Sequence, residues 1–502
     1  MKELLFVFSF FLLLASCKDK QKQNINAGEQ LAKNYCGSCH LYPEPGLLDK
    51  TTWREAVLPS MAFMMGIDAV YEMPLDNFKS PVISIEDWKK IASFYFNQAP
   101  DSMAGQGREP IHEFTDLFLT RQVTISEGKL PSASYIKIDS ANHWIFVANA
   151  FDSSLHIYDQ ELKLVASNNM HSTIVNIQFA NSILKTGNRS GIVTNIGIMN
   201  PNDQQTGSLD TFNINEKGKL IYSSRLFDTM PRPVEISGCD LNNDGLRDYL
   251  VCGFGNKAGA LYWMKGVKGH AYQKQIIRPL PGAIKSYIDD VNHDRLPDII
   301  TLMSQADEGI FLFQNKGNGI FETKTLLRFP PVYGSSYFEM KDFNGDGFKD
   351  IIYTCGDNAD YSYKVLKNFH GLYIFLNDGH NNFIKKYFFP VHGAFKAMAS
   401  DFDKDGDLDI AMISYFPDEK LQPQESFVYL QQNKNFQFTP FTIKEFDAGR
   451  WLTMDVGDLD ADGDDDIVLG SLVPPVSAQE EKWKNNSSQK AEFLLLENKT
   501  RK

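Results

Sequence analysis

Residues 401–409 read Asp401-Phe402-Asp403-Lys404-Asp405-Gly406-Asp407-Leu408-Asp409, and the apolar run Ile410-Ala411-Met412-Ile413 follows at once. Acidic side chains at positions 1, 3, 5 and 9 crowd negative charge onto the concave side of a turn. That arrangement is costly unless a hard cation sits there, and calcium, with its preference for several oxygen ligands, suits it best. The glycine at position 6 lets the backbone turn where a Cβ would clash. Near-copies begin at Asp240, Asp290, Asp342 and Asp458.

The copies recur every 50–60 residues, a period that belongs to propellers, solenoids and arrays. Each unit reads alike. An acidic loop precedes an apolar strand such as Ile351-Ile352-Tyr353-Thr354. A second strand ends in a turn, as in Gly309–Asn315 with Lys316-Gly317-Asn318-Gly319, and a further run such as Phe321–Leu326 completes the unit. Four strands per unit predict a propeller blade. The turn recurs at Leu376-Asn377-Asp378-Gly379, and a copy without its glycine stands at Gln432-Asn433-Lys434-Asn435-Phe436. Two degenerate units precede these, one from Tyr135 to Ala148 and one from Ile177 to Gly187, so the expected total is seven blades. Pairing Phe118–Thr124 with Phe493-Leu494-Leu495-Leu496 would close the ring and remove exposed sheet edges. The stretches Asn202–Asp210, Pro417–Glu425 and Val473–Lys490 read as loops.

Residues 115–502 thus resemble the FG-GAP (VCBS-type) repeat propellers, found in integrin α-chains and many exported bacterial proteins. The resemblance implies calcium ligands loop by loop. They are Asp240, Asn242, Asp244 and Asp248; Asp342, Asn344, Asp346 and Asp350; Asp401, Asp403, Asp405 and Asp409; and Asp458, Asp460, Asp462 and Asp466. These four loops imply about four structural calcium ions. The loop Asp290, Asn292, Asp294, Asp298 has Arg295 in place of glycine and Pro297 beside it, which argues against a metal there.

The N-terminus tells a different story. Residues 1–16 open with Lys2, run through an apolar stretch too short to span a bilayer as a mature helix, and end Ala15-Ser16 before Cys17. Leu14-Ala15-Ser16-Cys17 resembles the bacterial lipoprotein signal, which implies lipidation at Cys17, export, and membrane attachment through a tether at 17–26. Residues 27–100 then read as a small helical unit, and 101–114, with no period, as a linker. Ser84-Ile85-Glu86-Asp87 is a capping-box-like start for a helix that Pro100 closes. Within the unit, Cys36-Gly37-Ser38-Cys39-His40 has the spacing for covalent haem attachment: two thiols for the vinyl groups and an adjacent histidine for the iron. A thioredoxin-like pair would need a βαβ setting, and a zinc site a second Cys/His pair, and neither is visible. The unit resembles a class I cytochrome c domain, implying one haem c with His40 as proximal ligand. Leu58-Pro59-Ser60-Met61 resembles the Leu-Pro-x-Met stretch of exported cytochromes fused to repeat domains, so Met61 leads as distal ligand; Met73 is next, then Met64 and Met65. Each has core packing as its ordinary alternative.

Formal net charge is −13, from 63 acidic and 50 basic residues, and no basic stripe is visible, which argues against a nucleic-acid partner. Cys252 and Cys355 read as small buried residues, and a Cys239–Cys252 disulfide is allowed by the spacing without being required. Just upstream of four of the acidic loops stand Arg232, Tyr333, His392 and Arg450, a rim set suited to an anionic or sugar-like ligand, though polar loop residues meeting water are the commoner case. No nucleophile elbow, P-loop or dinucleotide glycine pattern is present. The expected architecture is a small all-α cytochrome c domain followed by an all-β, seven-bladed propeller. The expected role is electron transfer with a redox partner protein, the propeller docking a partner or ligand. The alternatives are an oxidoreductase propeller passing electrons to its own haem, and a carbohydrate-binding or adhesion module.

Overall fold

Seven four-stranded antiparallel sheets make up the larger part of the molecule, seen in a computed structural model. The structure describes residues 27–68, 73–75, 81–108, 110–126, 129–180, 189–269, 271–359, 361, 365–475 and 490–501. Cys17, the signal segment and the tether lie outside them. The chain divides into two compact units: Met1–Gln106 with Pro330–Val332 and Ala359–Asn368, and Gly107–Phe329 with Tyr333–Asn358 and Phe369–Lys502.

The second unit is a seven-bladed propeller. The innermost strands of the first six blades are Ala133–Asp139, Ile174–Phe179, Pro233–Cys239, Ala283–Asp289, Ser335–Lys341 and Ala394–Ser400, and each blade runs outward from its innermost strand in chain order. The seventh blade takes Trp451–Gly457, Asp466–Ser471 and Ala491–Asn498 from the C-terminal end and Phe118–Thr124 from the N-terminal end. Val123 pairs with Phe493 and Phe118 with Asn498, so the expected closure is present.

Blades hold one another through apolar side chains. Seven buried clusters lie one at each junction between neighbouring blades; the one joining the last blade to the first packs Val468, Phe493 and Leu495 on Ile136 and Ile145. Second and third strands such as Asp298–Met303 and Gly309–Asn315 are buried along their whole length, because a blade is covered on both faces. Outer strands such as Phe321–Arg328 are largely exposed and mix polar with apolar residues.

All seven innermost strands share a defect. Register slips between the first and third residue of each: Ala133/Tyr135, Ile174/Asn176, Pro233/Glu235, Ala283/Lys285, Ser335/Tyr337, Ala394/Lys396 and Trp451/Thr453. A bulge bends and twists the strand locally.

Some loop expectations need correction. Asn202–Asp210 is only partly a loop, since Gly207–Ile214 is a strand. The strand expected at 183–187 falls outside the described residues, and the described second strand of that blade is Arg189–Asn195. The stretch 101–114 is partly packed: Ile111 is buried in a propeller cluster, and Arg108 pairs with Glu425 at 2.7 Å. Cys239 and Cys252 are free, not bridged.

In the first unit, residues 27–35 are helical. A second helical stretch runs Lys50–Met64 with a π turn at Trp53–Val57, and a third helix spans Ile85–Gln98. Ser84 caps the third helix, its Oγ accepting from Asp87 N at 3.1 Å. Gly28 lets the first helix touch the third: a Cβ there would lie 2.4 Å from the Lys90 carbonyl oxygen. Among the described residues no helix is long and apolar enough to cross a membrane.

Ring closure also rests on Glu492, whose carboxylate accepts from Ser132 N and Oγ at 3.2 Å in the adjoining blade. Burial pushes this carboxyl up to about 7, against the opposing pull of the Ser132 bonds. An unfolded chain releases the proton at a lower pH, so the group's contribution is full below about 4.5 and is lost as pH rises toward 7. Glu492→Gln should remove that part of the fall. Between pH 4.5 and 7.5 its stability should rise relative to the wild type by on the order of 1–3 kcal/mol in denaturant unfolding. Parallel stability curves for the two proteins would refute this account.

Candidate functional site

The first unit contains a cavity of about 310 Å³. Cys36, His40, Trp53, Met61, Ile91 and Tyr95 are among its lining residues. Three local features build it. Trp53 stacks on Tyr95 at 4.3 Å between centroids, with Trp53 Nε1 donating to Pro45 O and Tyr95 Oη to Pro43 O, both at 2.8 Å. These bonds fix the segment that follows the cysteine motif against two helices. Pro59 cannot donate a ladder bond, and the helix widens just before it, with Leu58 N–H reaching back to Trp53 O. Met61 lies half a turn beyond. Cys36 starts a short 3-10 turn, whose first carbonyl accepts from the Cys39 and His40 amides at 3.3 Å each.

His40 is buried, and its Nδ1 lies 3.0 Å from Leu41 O. A carbonyl only accepts, so Nδ1 carries the proton and Nε2 of the neutral ring keeps its lone pair, as a metal-binding histidine requires. Burial pushes the Cys36 thiol up to about 11, while Cys39 is exposed and does not line the cavity. Of the four methionines singled out by sequence, only Met61 lines this cavity. Met64 and Met73 are 59% and 48% exposed, and Met65 is buried elsewhere.

The acidic loops sit at the opposite end of the blades from Arg232, Tyr333, His392 and Arg450, because each innermost strand runs from one to the other. All five loops have the same backbone. Positions 4 and 6 are left-handed throughout, occupied by Asn243/Gly245, His293/Arg295, Gly345/Gly347, Lys404/Gly406 and Ala461/Gly463. The position-9 aspartates Asp248, Asp298, Asp350, Asp409 and Asp466 are at most 1% exposed. One oxygen of each accepts from the end of the third strand: Gly266 N, Asn315 N, Asn377 N, Gln432 N and Asn498 N, at 2.7–2.9 Å. The other oxygen accepts from the loop's own second residue in four cases and from Tyr429 Oη in the fifth. Sequence reading treated position 9 as a ligand like the others; its buried bonds to the third strand and, in four loops, to the loop itself are the larger part of its work.

The loops differ in what they leave over. In those at Asp240, Asp290 and Asp342, the first aspartate accepts from backbone amides with both oxygens. In the other two, Asp401, Asp403 and Asp405 each bring an oxygen within 4.8 Å of the others, as do Asp458, Asp460 and Asp462. Asp401 Oδ1, Asp458 Oδ1 and Asp462 Oδ2 are buried oxygens with no hydrogen-bond partner in the structure. Three carboxylate oxygens at this spacing fit around one ion with ligands at about 2.3–2.6 Å, and the orphaned oxygens are what a bound cation would satisfy.

Residues 290–353 and 401–469 match the FG-GAP-like repeat. The two stretches contain the loops at Asp290, Asp342, Asp401 and Asp458; the loop at Asp240 lies outside them. No curated relative matches the chain. Similar solved structures include the N-terminal domain of Nup159 (10% identity, TM-score 0.39, covering 78% of this chain and 99% of that one). They also include virginiamycin B lyase from Staphylococcus aureus (9%, TM-score 0.43, 76% and 98%) and BBS1N in complex with ARL6DN (8%, TM-score 0.42, 78% and 98%).

The rim set is largely engaged internally. Arg232 is buried and donates to Gly255 O at 2.7 Å and Met199 O at 3.0 Å. Arg450 lies over the Tyr415 ring at 4.0 Å, Tyr333 stacks on Phe369 at 4.4 Å, and His392 is buried. These side chains brace loops rather than open toward a ligand.

Arg295 holds a left-handed conformation, φ +69°, that glycine adopts freely. Arg295→Gly should therefore stabilise the propeller by about 0.5–1 kcal/mol in thermal or denaturant unfolding. An unchanged or lowered midpoint would show that the arginine side chain compensates the strain.

Proposed function

We propose that this chain is an exported electron-transfer protein whose helical unit carries one covalently attached haem c and whose calcium-stabilised FG-GAP-type propeller docks a redox partner. The observation that carries the reading is that Cys36, His40 and Met61, three residues picked out by motif, line one cavity. When bound, the haem supplies reversible one-electron chemistry. The chain's own residues do the rest. Cys36 and Cys39 are the attachment thiols. The Leu41 carbonyl holds the proton on His40 Nδ1 and turns Nε2 to the metal role. Met61 offers a soft thioether, which favours the reduced state. Trp53, Ile91 and Tyr95 wall the cavity with apolar surface that excludes water. Cys17, as a lipidated N-terminus, anchors the mature chain to a bacterial membrane in the periplasm or at the cell surface.

Calcium belongs first to the loops at Asp401 and Asp458, where carboxylates cluster and oxygens are left without donors. The loops at Asp240 and Asp342 share their backbone and take the same ion with an asparagine at position 3. The role is structural, pinning the turn between first and second strands.

Expression alongside haem-maturation machinery should give one haem per chain that stays with the denatured polypeptide, and Cys36→Ala with Cys39→Ala should lose it. Met61→Ala should keep the attachment and lower the reduction potential. A chain that matures without any bound haem would sink the electron-transfer reading. Separately, chelation should lower the propeller's melting temperature. A site filled at about a hundred times its Kd adds about 2.7 kcal/mol, and Asp401→Asn with Asp405→Asn should remove one such increment. Indifference to chelator would remove the calcium assignment and leave the haem assignment standing.

A further inference from the structure

The bulges that open the innermost strands place their third residues around the propeller axis, and contacts between blades show these side chains meeting there. Lys285 Nζ lies 3.2 Å from Glu235 of the preceding blade and 5.2 Å from the centre of the Tyr337 ring of the next. Lys396, one blade further on, lies 4.9 Å from the same ring. Two residues deeper, Lys137 pairs with Asp455 at 3.0 Å across the closing junction. Lys285, Tyr337 and Lys396 are only half-buried where the strands ring the axis, so part of each side chain stays accessible.

The charges in this channel are unevenly matched. Lys285 has Glu235, and Lys137 has Asp455. The remaining carboxylate, Glu339, accepts from Ala399 N at 2.8 Å and has Lys341 at 4.0 Å. Lys396 has no carboxylate within 4 Å among the described residues. Its ammonium makes one hydrogen bond, to Met454 O at 2.7 Å. A half-buried ammonium with donors to spare, sharing one aromatic ring with a second ammonium, sits in a field that favours negative charge. Burial holds the Lys396 ammonium down to about 8; attraction from Asp455 opposes this, and repulsion from Lys285 and Lys137 adds to it.

We propose that the axial channel is a binding site for a small oxyanion, a carboxylate or phosphate group, held by Lys396 and Lys285 beside Tyr337. A cation would meet the lysines, and a neutral ligand would leave the imbalance in place. The Tyr337 ring lies close to both ammonium groups, so the group must be small or the end of an extended molecule. The site is independent of the haem and of the calcium loops, which lie at the far ends of these strands.

The test uses the full chain with calcium present, at constant ionic strength, with chloride as reference. Acetate and phosphate are the probes and acetamide is the neutral control. Calorimetric titration and thermal melts are read on the wild type, Lys396→Met, Lys396→Gln and, as a surface control, Lys324→Met. Acetate, phosphate or both should bind and raise the melting temperature, while acetamide should not. Both Lys396 variants should weaken binding at least tenfold, and Lys324→Met should bind as the wild type does. Whichever anion binds more tightly names the ligand class. If neither anion binds the wild type better than chloride does, the proposal is overturned. Equal binding by either folded Lys396 variant overturns it as well; two variants are used because one may fail to fold.

Discussion

A carboxylate with almost no exposure, accepting with both oxygens, recurs five times in this propeller. Asp248, Asp298, Asp350, Asp409 and Asp466 each tie the acidic loop to the far end of the third strand. A buried charge is tolerated only where its hydrogen-bonding capacity is met, so the position admits one loop geometry. That geometry fixes where the second strand begins and makes positions 1, 3 and 5 converge. The neighbouring blade is drawn in too: Asn315 Nδ2 donates to Leu241 O and Asn498 Nδ2 to Phe402 O, each reaching the second residue of the preceding blade's loop. Cation binding, where it occurs, is built on this frame. The loop at Asp290 keeps the frame intact with an arginine at position 6.

The propeller was legible in the sequence because its repeats are chemical as well as periodic. Acidic loops gave the register, and the register gave the blade count and the closing pair of strands. The two blades without acidic loops were found by strand pattern alone, and there a boundary slipped, at Gly207. The bulges were not legible. The first residues of those strands are Ala, Ile, Pro, Ser and Trp, and no residue type marks the slip. The rim arginines stayed open between two readings for a related reason. Sequence alignment put Arg232 and Arg450 at equivalent positions, but could not tell that carbonyls and rings of neighbouring loops would take up their guanidinium groups.

In the helical unit the proposed haem attachment rests on Cys36, Cys39 and His40 without any fold, since covalent attachment needs only local spacing. Which methionine would serve as the proposed distal ligand is a tertiary question. Four candidates lie within thirteen residues, and spacing ranks them weakly. The structure separates them by a local cause: Pro59 interrupts the helical ladder, the π turn before it resets the phase of the helix, and Met61 comes to the cavity that His40 lines while Met64 points to solvent.

The same contrast between local and assembled chemistry governs the axial channel. Lys285, Tyr337 and Lys396 are separated by 52 and 59 residues and belong to no motif. They meet only because three bulged strands from successive blades bring the same position to the axis. A ring of repeats makes equivalent positions neighbours, so any imbalance among them accumulates in one place instead of being diluted over a surface. The acidic loops are built blade by blade. The axis is shared by all seven blades, and its net preference can be set by a single residue whose ammonium touches a carbonyl and no carboxylate, which among the described residues is Lys396.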